Sequence, residues 1–302
     1  MAIGYACLCV GVPGTALTHL TQRTATPERL REATATNLRA LGAMVAYNRE
    51  QGIRLFRISS DIVPLVTHPT HRFDWATAFA GELAALGERI RAAGIRVSMH
   101  PGQYTVLNSP REEVAAAAVE DLLYHTAFLD ALGVDSTCKI ILHIGGAYGD
   151  KTTALEAFAR RYESLPQPIL RRLVVENDDR SYTVADALAL HRRVGVPVVY
   201  DNLHDACTPS PESCPPSEWI ARCAATWGLA DGRPKVHYSQ SRPGPNPRAH
   251  SDAIELEAFL DFYRRLPVPV DVMLEVKDKN LSAVRCLRAV GEMEARPQWD
   301  KQ

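Results

Sequence analysis

Histidines and carboxylates follow most of the apolar segments of this chain, at the positions where those segments end. The segment "PVVYDNLHDA" (197–206) is typical, because a run of Val, Val and Tyr stops at Asp201 and His204 follows three residues later. Imidazole nitrogens and carboxylate oxygens are the ligands that divalent transition-metal ions take from proteins. Nine such side chains end apolar segments or lie in the loops that follow them: His68, His100, His143, Glu176, Asp201, His204, His237, His250 and Glu275.

The size of this set favours a metal site over isolated polar residues. A single histidine at a strand end is more often a hydrogen-bonded residue than a ligand, and Glu176 or Glu275 alone could pair with an arginine. Nine converging groups, however, would carry a large desolvation cost that divalent cations offset. Because one zinc ion takes about four protein ligands, nine ligands predict two or three ions. A set without thiolates leaves Mn²⁺, Fe²⁺, Zn²⁺ and Co²⁺ open, and we interpret Cys7 and Cys9 as packing residues.

Lys235 stands out because it precedes His237 by two residues and therefore faces the same side of a strand. Bound metal ions would repel a lysine ammonium at that place. From the residues alone, a contact with a substrate phosphate is one interpretation of this lysine. The remaining histidines lie in predicted loops or on predicted helices away from the strand ends, and we assign them no role: His19, His71, His125 and His191.

The elements that position these residues repeat in a regular order. Eight apolar, β-branched segments are predicted as strands: 3–10, 54–63, 95–100, 139–146, 172–178, 196–201, 235–239 and 270–276. Amphipathic stretches between them predict helices, among them 27–51, 75–93, 110–132, 183–194 and 252–265. "SPRE" at 109–112 predicts a capping box, and glycines at 94 and 195 mark helix ends directly before strands.

This alternation predicts an α/β fold, a single (β/α)8 TIM barrel over residues 1–302 with the metal cluster at its C-terminal rim. Active sites of such barrels are built where the carboxyl ends of the strands converge. An open, doubly wound sheet is the alternative, although it rarely distributes polar endings over so many strands. The barrel would therefore bring the nine side chains to one place.

Composition restricts the function only weakly. The formal net charge is −1, from 34 Lys and Arg against 35 Asp and Glu, which counts mildly against a nucleic-acid partner but does not exclude a local basic rim or bound metal ions. The opening "MAIGYACLCVGVPG" has no basic segment of a secretory signal, and no apolar run reaches the roughly 18 residues that a membrane span needs. We therefore expect a cytoplasmic protein without a membrane partner.

A series of motifs along nearly the whole chain resembles the UV damage endonuclease family. The segments that carry this resemblance are "GYACLC" (4–9), "LFRISSDIVPLVTHP" (55–69), "SMHPGQYTVLNSP" (98–110), "HIGGAYGDK" (143–151), "VVENDDRSYT" (174–183), "YDNLHDA" (200–206), "KVHYS" (235–239) and "RAHSDAI" (248–254). Endonuclease IV and the xylose-isomerase-like barrels are similar more distantly. The resemblance implies a nuclease that incises the DNA backbone immediately 5′ of cyclobutane pyrimidine dimers and 6-4 photoproducts, leaving 3′-hydroxyl and 5′-phosphate ends.

The resemblance also implies a cofactor and a partner. It implies a cluster of three divalent ions, with Mn²⁺ expected and Zn²⁺, Co²⁺ or Mg²⁺ as alternatives, held by the nine residues already collected from the strand ends. Such ions would activate water for an in-line attack on the phosphodiester, with Glu176 and Glu275 at bridging positions. The partner would be damaged double-stranded DNA. Apart from the resemblance, we expect a monomer that is associated with the nucleoid.

Individual roles follow from the same resemblance. Glu176, Glu275, Lys235 and His237 would be the catalytic residues, with Lys235 modified to a form similar to a carboxylated lysine. Gln103 and Tyr104 would form a probe inserted into the duplex where the damaged bases leave the stack, and Tyr5 would line the lesion pocket. From the residues of the loop 239–250 rather than from the resemblance, we assign Arg242 and Arg248 to backbone phosphates.

Two other enzyme classes remain open. An abasic-site endonuclease of the endonuclease IV type would use a similar metal site, so only the choice of lesion separates it from the first hypothesis. A metal-dependent sugar isomerase or epimerase would share the barrel but needs fewer ligands at the rim and a substrate-sized pocket. A DNA-damage binder without catalysis fits least well, because binding alone does not require so many metal ligands.

Overall fold

Eight parallel strands close into a barrel in the computed structural model, which describes residues 1–71 and 73–295. Each strand pairs with the next one in the chain, and β8 pairs with β1 to complete the ring. The strands are β1 (Ile3–Ala6), β2 (Leu55–Ile58), β3 (Arg96–Met99), β4 (Ile140–His143), β5 (Leu173–Glu176), β6 (Val198–Asp201), β7 (Lys235–Tyr238) and β8 (Asp271–Leu274). The predicted barrel is confirmed, and each observed strand lies inside a predicted segment.

Helices surround the barrel. They are α1 (Pro27–Glu50), α2 (Trp75–Ala78), α3 (Ala80–Ala92), α4 (Glu112–Ala131), α5 (Lys151–Glu163), α6 (Gln167–Leu170), α7 (Val184–Val194), α8 (Asn202–Cys207), α9 (Pro216–Ala224), α10 (Leu256–Arg264) and α11 (Asn280–Ala295). Their apolar faces pack on the outward side chains of the strands and form the main hydrophobic core. None of the described helices combines the length and the apolar character that crossing a membrane requires.

The predicted helix ends are partly right. Gly94 and Gly195 have φ of +61° and +76°, the left-handed conformation that ends a helix before a strand. The capping box at 109–112 is wrong, because α4 begins at Glu112 with Arg111 at the N-cap and no side-chain cap. Ser109 Oγ instead accepts a hydrogen bond from the backbone N–H of Arg111 at 3.2 Å, so the serine stabilises the turn that precedes α4.

Strand alternation explains why the candidate residues face inward. Successive side chains of a strand point to opposite faces, so every second residue enters the barrel. Ile141, Val174 and Val199 form a buried apolar cluster inside the barrel, and each lies two residues before a polar strand end, at His143, Glu176 and Asp201. The polar groups therefore rest on an apolar layer at the carboxyl end of the strands.

Candidate metal centre

The strand register brings the polar ends of neighbouring strands to one level. His143 of β4 pairs with Glu176 of β5, and Asp201 of β6 pairs with His237 of β7. Three groups of side chains there each place one ligand atom within 4.8 Å of the others: His100, His143 and Glu176; Glu176, Asp201 and His204; and Asp201, His237 and Glu275. We call these seven residues the rim cluster.

Glu176 lies at the centre of the rim cluster. Its Oε1 is 2.7 Å from Nε2 of His100 and 3.0 Å from Nε2 of His143, and its Oε2 is 2.5 Å from Nδ1 of His237. The carboxylate is almost completely buried. Burial would raise the pKa of Glu176, but the three histidines outweigh it and hold the pKa well below its usual range.

The two carboxylate oxygens of Asp201 have different roles, because Oδ1 caps a helix and Oδ2 belongs to the rim cluster. Its Oδ1 accepts hydrogen bonds from the backbone N–H groups of Leu203 at 2.8 Å and His204 at 2.9 Å, which caps α8. Oδ2 is buried, and no donor among the described residues bonds to it. A buried carboxylate oxygen without a donor is costly, and a cation would compensate it. Burial raises the pKa of Asp201 to about 6.

Backbone carbonyls orient the histidine rings. Nδ1 of His204 lies 2.9 Å from the carbonyl oxygen of Asn177, and Nδ1 of His100 lies 3.0 Å from that of Pro101. A ring nitrogen that donates to a carbonyl leaves the lone pair on the other nitrogen, which is the usual arrangement for a metal-binding histidine. Burial lowers the pKa of His204, but Asp201, Glu176 and Glu275 outweigh it and raise the pKa to about 9.

The ligand set fits divalent metal ions. The three groups contain only imidazole nitrogens and carboxylate oxygens, and Glu176 and Asp201 each belong to two groups. The members shared between groups are Glu176 and Asp201, and Glu275 belongs to one group. Mixed nitrogen and oxygen donors suit Mn²⁺, Fe²⁺, Zn²⁺ and Co²⁺.

Two of the nine predicted ligands lie outside the three groups formed by the described residues. His250, in the loop after β7, has its Nδ1 4.0 Å from Oε2 of Glu275. His68, in the loop after β2, accepts a hydrogen bond from the backbone N–H of Thr70 through Nδ1 and stacks on His71. Both sit at the edge of the rim, where loops rather than strands position them.

Arg57 and Asn177 are functional candidates that were not predicted from the sequence. Arg57 lies inside the barrel on β2, with its Nη2 2.5 Å from Oε1 of Glu275 and 3.1 Å from Nε2 of His237. Burial would raise the pKa of Glu275, but the positive charge of Arg57 helps to hold that pKa well below its usual range. Asn177 bonds both the backbone N–H and the carbonyl of Asp201. The alternation in "RLFRIS" puts Arg57 on the inward face and could have indicated it.

Lys235 lies inside the barrel below the rim cluster. Its side chain is 1% exposed, and Nζ has no hydrogen-bond partner among the residues that the structure describes. Burial, with Arg96 and Arg57 nearby, lowers the pKa of Lys235 well below its usual range, which favours the neutral amine over the ammonium form. The interpretation that Lys235 contacts a phosphate is wrong, because no DNA backbone could reach a buried nitrogen.

The predicted DNA-contacting residues lie in different environments. Gln103 and Tyr104 are exposed in the loop after β3, and the Tyr104 side chain is 83% exposed. Arg242 and Arg248 are exposed in the loop after β7, where they face Asp252 and Asp179 at 3.5 and 3.3 Å. The prediction for Tyr5 is wrong. Its side chain is fully buried on the outer face of β1, and its hydroxyl donates to Oδ1 of Asn48 on α1 at 2.9 Å.

A cleft opens beside the rim cluster. It holds about 640 Å³ and is lined by residues of the loops after β1, β2 and β3 and by α4, among them Cys7, Ser60, His68, His100 and Tyr104. Exposed Tyr104 and rim-cluster residue His100 thus border the same space. An extended ligand that contacts Tyr104 can therefore also reach the cluster.

Comparison with known proteins gives a consistent result. The family model described as UV-endonuclease UvdE matches residues 6–298. The UV DNA damage endonuclease of Clostridium perfringens is 38% identical over 295 residues, which cover 97% of this chain and 71% of the relative. The crystal structure of SacUVDE superposes with a TM-score of 0.91 at 35% identity and covers 98% of this chain and 100% of that one.

More distant structures share the fold alone. A D-psicose 3-epimerase from Clostridium cellulolyticum has a TM-score of 0.56 at 12% identity, with 97% of this chain and 98% of that chain covered. The barrel is therefore common to nucleases and sugar epimerases.

Proposed function

Because the chain belongs to the UV-endonuclease UvdE family and is thus a DNA repair endonuclease, we propose that it incises the DNA backbone immediately 5′ of UV photoproducts. Cyclobutane pyrimidine dimers and 6-4 photoproducts are the substrates, and the products carry 3′-hydroxyl and 5′-phosphate ends. The observation that carries this proposal is the rim cluster, in which three adjoining groups of nitrogen and oxygen donors share Glu176 and Asp201.

The rim cluster is proposed to hold three divalent ions, with Mn²⁺ as the expected metal. Bound ions of this kind supply Lewis-acid chemistry, which activates water and stabilises charge on the attacking and leaving oxygens of a phosphodiester. His68 and His250 complete the nine ligands from the loops. Glu176, Glu275 and His237 are the proposed catalytic positions, and their mutual contacts at 2.5 and 3.3 Å keep them in place before DNA binds.

Lys235 is proposed to be carboxylated. A neutral amine is the form that attacks CO₂; its nitrogen forms a bond to the carbon and loses a proton, which gives an anionic carbamate. Inside the barrel this anion would lie next to Arg57 and Arg96, whose positive charges now disfavour the ammonium form. The modification thus turns a disfavoured cation into a favourable partner of the two guanidinium groups.

Recognition of the lesion is assigned to the loop after β3. Exposed Gln103 and Tyr104 enter the duplex and fill the space that the damaged bases leave, which costs least where stacking and pairing are already weakened. The cleft beside Tyr104 receives the extruded bases. Arg242 and Arg248 bind phosphates of the flanking backbone after exchanging their aspartate partners for DNA.

End-labelled duplexes test this proposal. Each carries one cyclobutane dimer, one abasic site or no lesion, and is incubated with the purified protein and Mn²⁺, with EDTA as a control. We expect one cut directly 5′ of the dimer that DNA ligase can reseal. Cutting at the abasic site alone would assign an activity of the endonuclease IV type, and no cutting with metal bound would favour sugar isomerase chemistry.

A further inference from the structure

The segment His100–Thr105 joins the rim cluster to the exposed probe. His100 at its start contacts Glu176 at 2.7 Å, and Tyr104 near its end projects into solvent. Between them the chain forms a turn, in which the backbone N–H of Thr105 donates to the carbonyl of Gly102 at 3.0 Å. A displacement of Tyr104 would therefore also move His100, four residues earlier in the chain, unless contacts with other elements hold the segment in place.

Helix α4 holds the far end of this segment. The Thr105 hydroxyl donates to Oδ2 of Asp121 at 2.5 Å, and the Thr105 side chain is buried. Asp121 lies on the face of α4 that lines the cleft. Thr105 is thus fixed immediately after the exposed tyrosine.

The same turn of α4 holds the near end through Ser60. The Ser60 hydroxyl donates to the carbonyl of His100 at 2.5 Å, and Nε2 of His125 lies 2.9 Å from Ser60 Oγ. The Tyr124 hydroxyl donates to the carbonyl of Ser60 at 3.2 Å. His125 is almost fully buried, and its Nδ1 lies 2.7 Å from the carbonyl of Asp121.

Asp121, Tyr124 and His125, which we call the α4 anchor, lie three and four residues apart and so share one helix face. His125 has no role predicted from the sequence, because it lies on a helix away from the strand ends. In the structure, this histidine reaches the rim through a single serine.

We infer that the α4 anchor positions the probe: it fixes both ends of His100–Thr105, so that insertion of Tyr104 into DNA and the placement of His100 in the rim cluster depend on each other. This inference rests on the proposed function for the role of Tyr104. Asp121 and His125 are positioning residues, which act through Thr105 and Ser60. Loss of one of these hydroxyls removes the side-chain hydrogen bond that fixes one end of the segment, so that end is no longer held.

Hydrogen exchange tests the anchoring without relying on nuclease activity. In the folded protein with Mn²⁺, Thr105→Val should speed exchange of the amides of residues 102–106 by about fivefold or more, because their local opening becomes easier. Thr105→Ser, which keeps the hydroxyl, should restore the slow exchange. Thr34→Val is the matched control, since the buried Thr34 hydroxyl donates to the Leu30 carbonyl within α1, away from the loop after β3. Unchanged exchange in Thr105→Val, or an equal increase in Thr34→Val, would overturn the inference.

Cutting kinetics then test the consequence for DNA. On a fully paired duplex with one cyclobutane dimer, Thr105→Val should lower kcat/KM about tenfold, the effect of losing one well-placed interaction. When the bases opposite the dimer are mismatched, the site is already open and the defect should shrink to less than about threefold. Equal defects on both duplexes would contradict a positioning role. If the wild-type protein cuts neither duplex, the proposed function fails, while the exchange measurement still decides the anchoring.

Discussion

Glu176 on β5 and His237 on β7 meet across the barrel, with Oε2 of the glutamate 2.5 Å from Nδ1 of the imidazole. The same carboxylate contacts His100 and His143 through its other oxygen. Four strands thus converge on one side chain. No other carboxylate among the described residues makes contacts to three histidines of the rim cluster shorter than 3.2 Å.

Glu176→Ala should therefore abolish incision and leave DNA binding measurable. Loss of a shared metal ligand is expected to cost more than about a hundredfold in rate, the upper range for residues that only support ligands. Incision of a dimer-containing duplex and binding by fluorescence anisotropy measure the two effects. Glu163→Ala, which removes a glutamate paired with Arg193 away from the rim, is the control. Incision at the wild-type rate by Glu176→Ala would contradict the assignment.

Asn177→Ala should weaken metal binding without touching a ligand. The Asn177 amide holds the backbone N–H and carbonyl of Asp201, and losing such support typically costs about 10- to 100-fold in affinity. Metal titration of the stripped protein measures the change. Asn48→Ala removes a similarly buried amide that accepts the Tyr5 hydroxyl, and it should lower stability but not metal affinity. Equal metal affinities of Asn177→Ala and Asn48→Ala would contradict this prediction.

Metal binding should release a proton from His204. With its pKa raised to about 9, the imidazole is protonated at pH 7 in the metal-free protein, whereas a metal ligand must be neutral. Affinity should therefore rise as the pH increases towards 9 and level off above it. Calorimetry at pH 7 in buffers of different ionisation enthalpy counts the protons released, and His204→Gln should lower that count. A count that does not change in the variant would contradict the prediction.

Tyr104→Ala should lower the preference for damaged over undamaged DNA while metal binding stays unchanged. A base-stacking aromatic is worth about 1–3 kcal/mol, so the preference should fall by roughly 5- to 150-fold. Competition binding with matched duplexes measures it. Tyr148→Ala is the control, because Tyr148 is also exposed, in the loop after β4. If Tyr104→Ala and Tyr148→Ala lower the preference for damaged DNA equally, the loop after β3 does not recognise the lesion specifically.

The sequence predicts the barrel and most of the site because strand periodicity fixes which side chains face inward. Glu176, Asp201 and His237 all end predicted strands, and the structure brings them together. The environment of Tyr5 could not be predicted from the sequence. β1 is apolar on both faces, and a shift of one residue in the alternation exchanges the inside of the barrel for the outer core. Nor could the sequence show Ser60 beside His125, because that contact joins the end of a strand to a helix 65 residues later. Loop ligands such as His68 depend on conformations that no periodicity describes.

Anomalous diffraction from crystals grown with Mn²⁺ tests the metal centre most directly. Data collected on both sides of the manganese absorption edge locate the ions without assumptions about their ligands. Three peaks are expected, bordered by Glu176 and Asp201 and by the histidines of the rim cluster, with His68 and His250 closing the outer positions. A crystal that shows no anomalous peak in the rim cluster, although the protein in the same drop cuts dimer-containing DNA, would contradict a catalytic metal centre at this site.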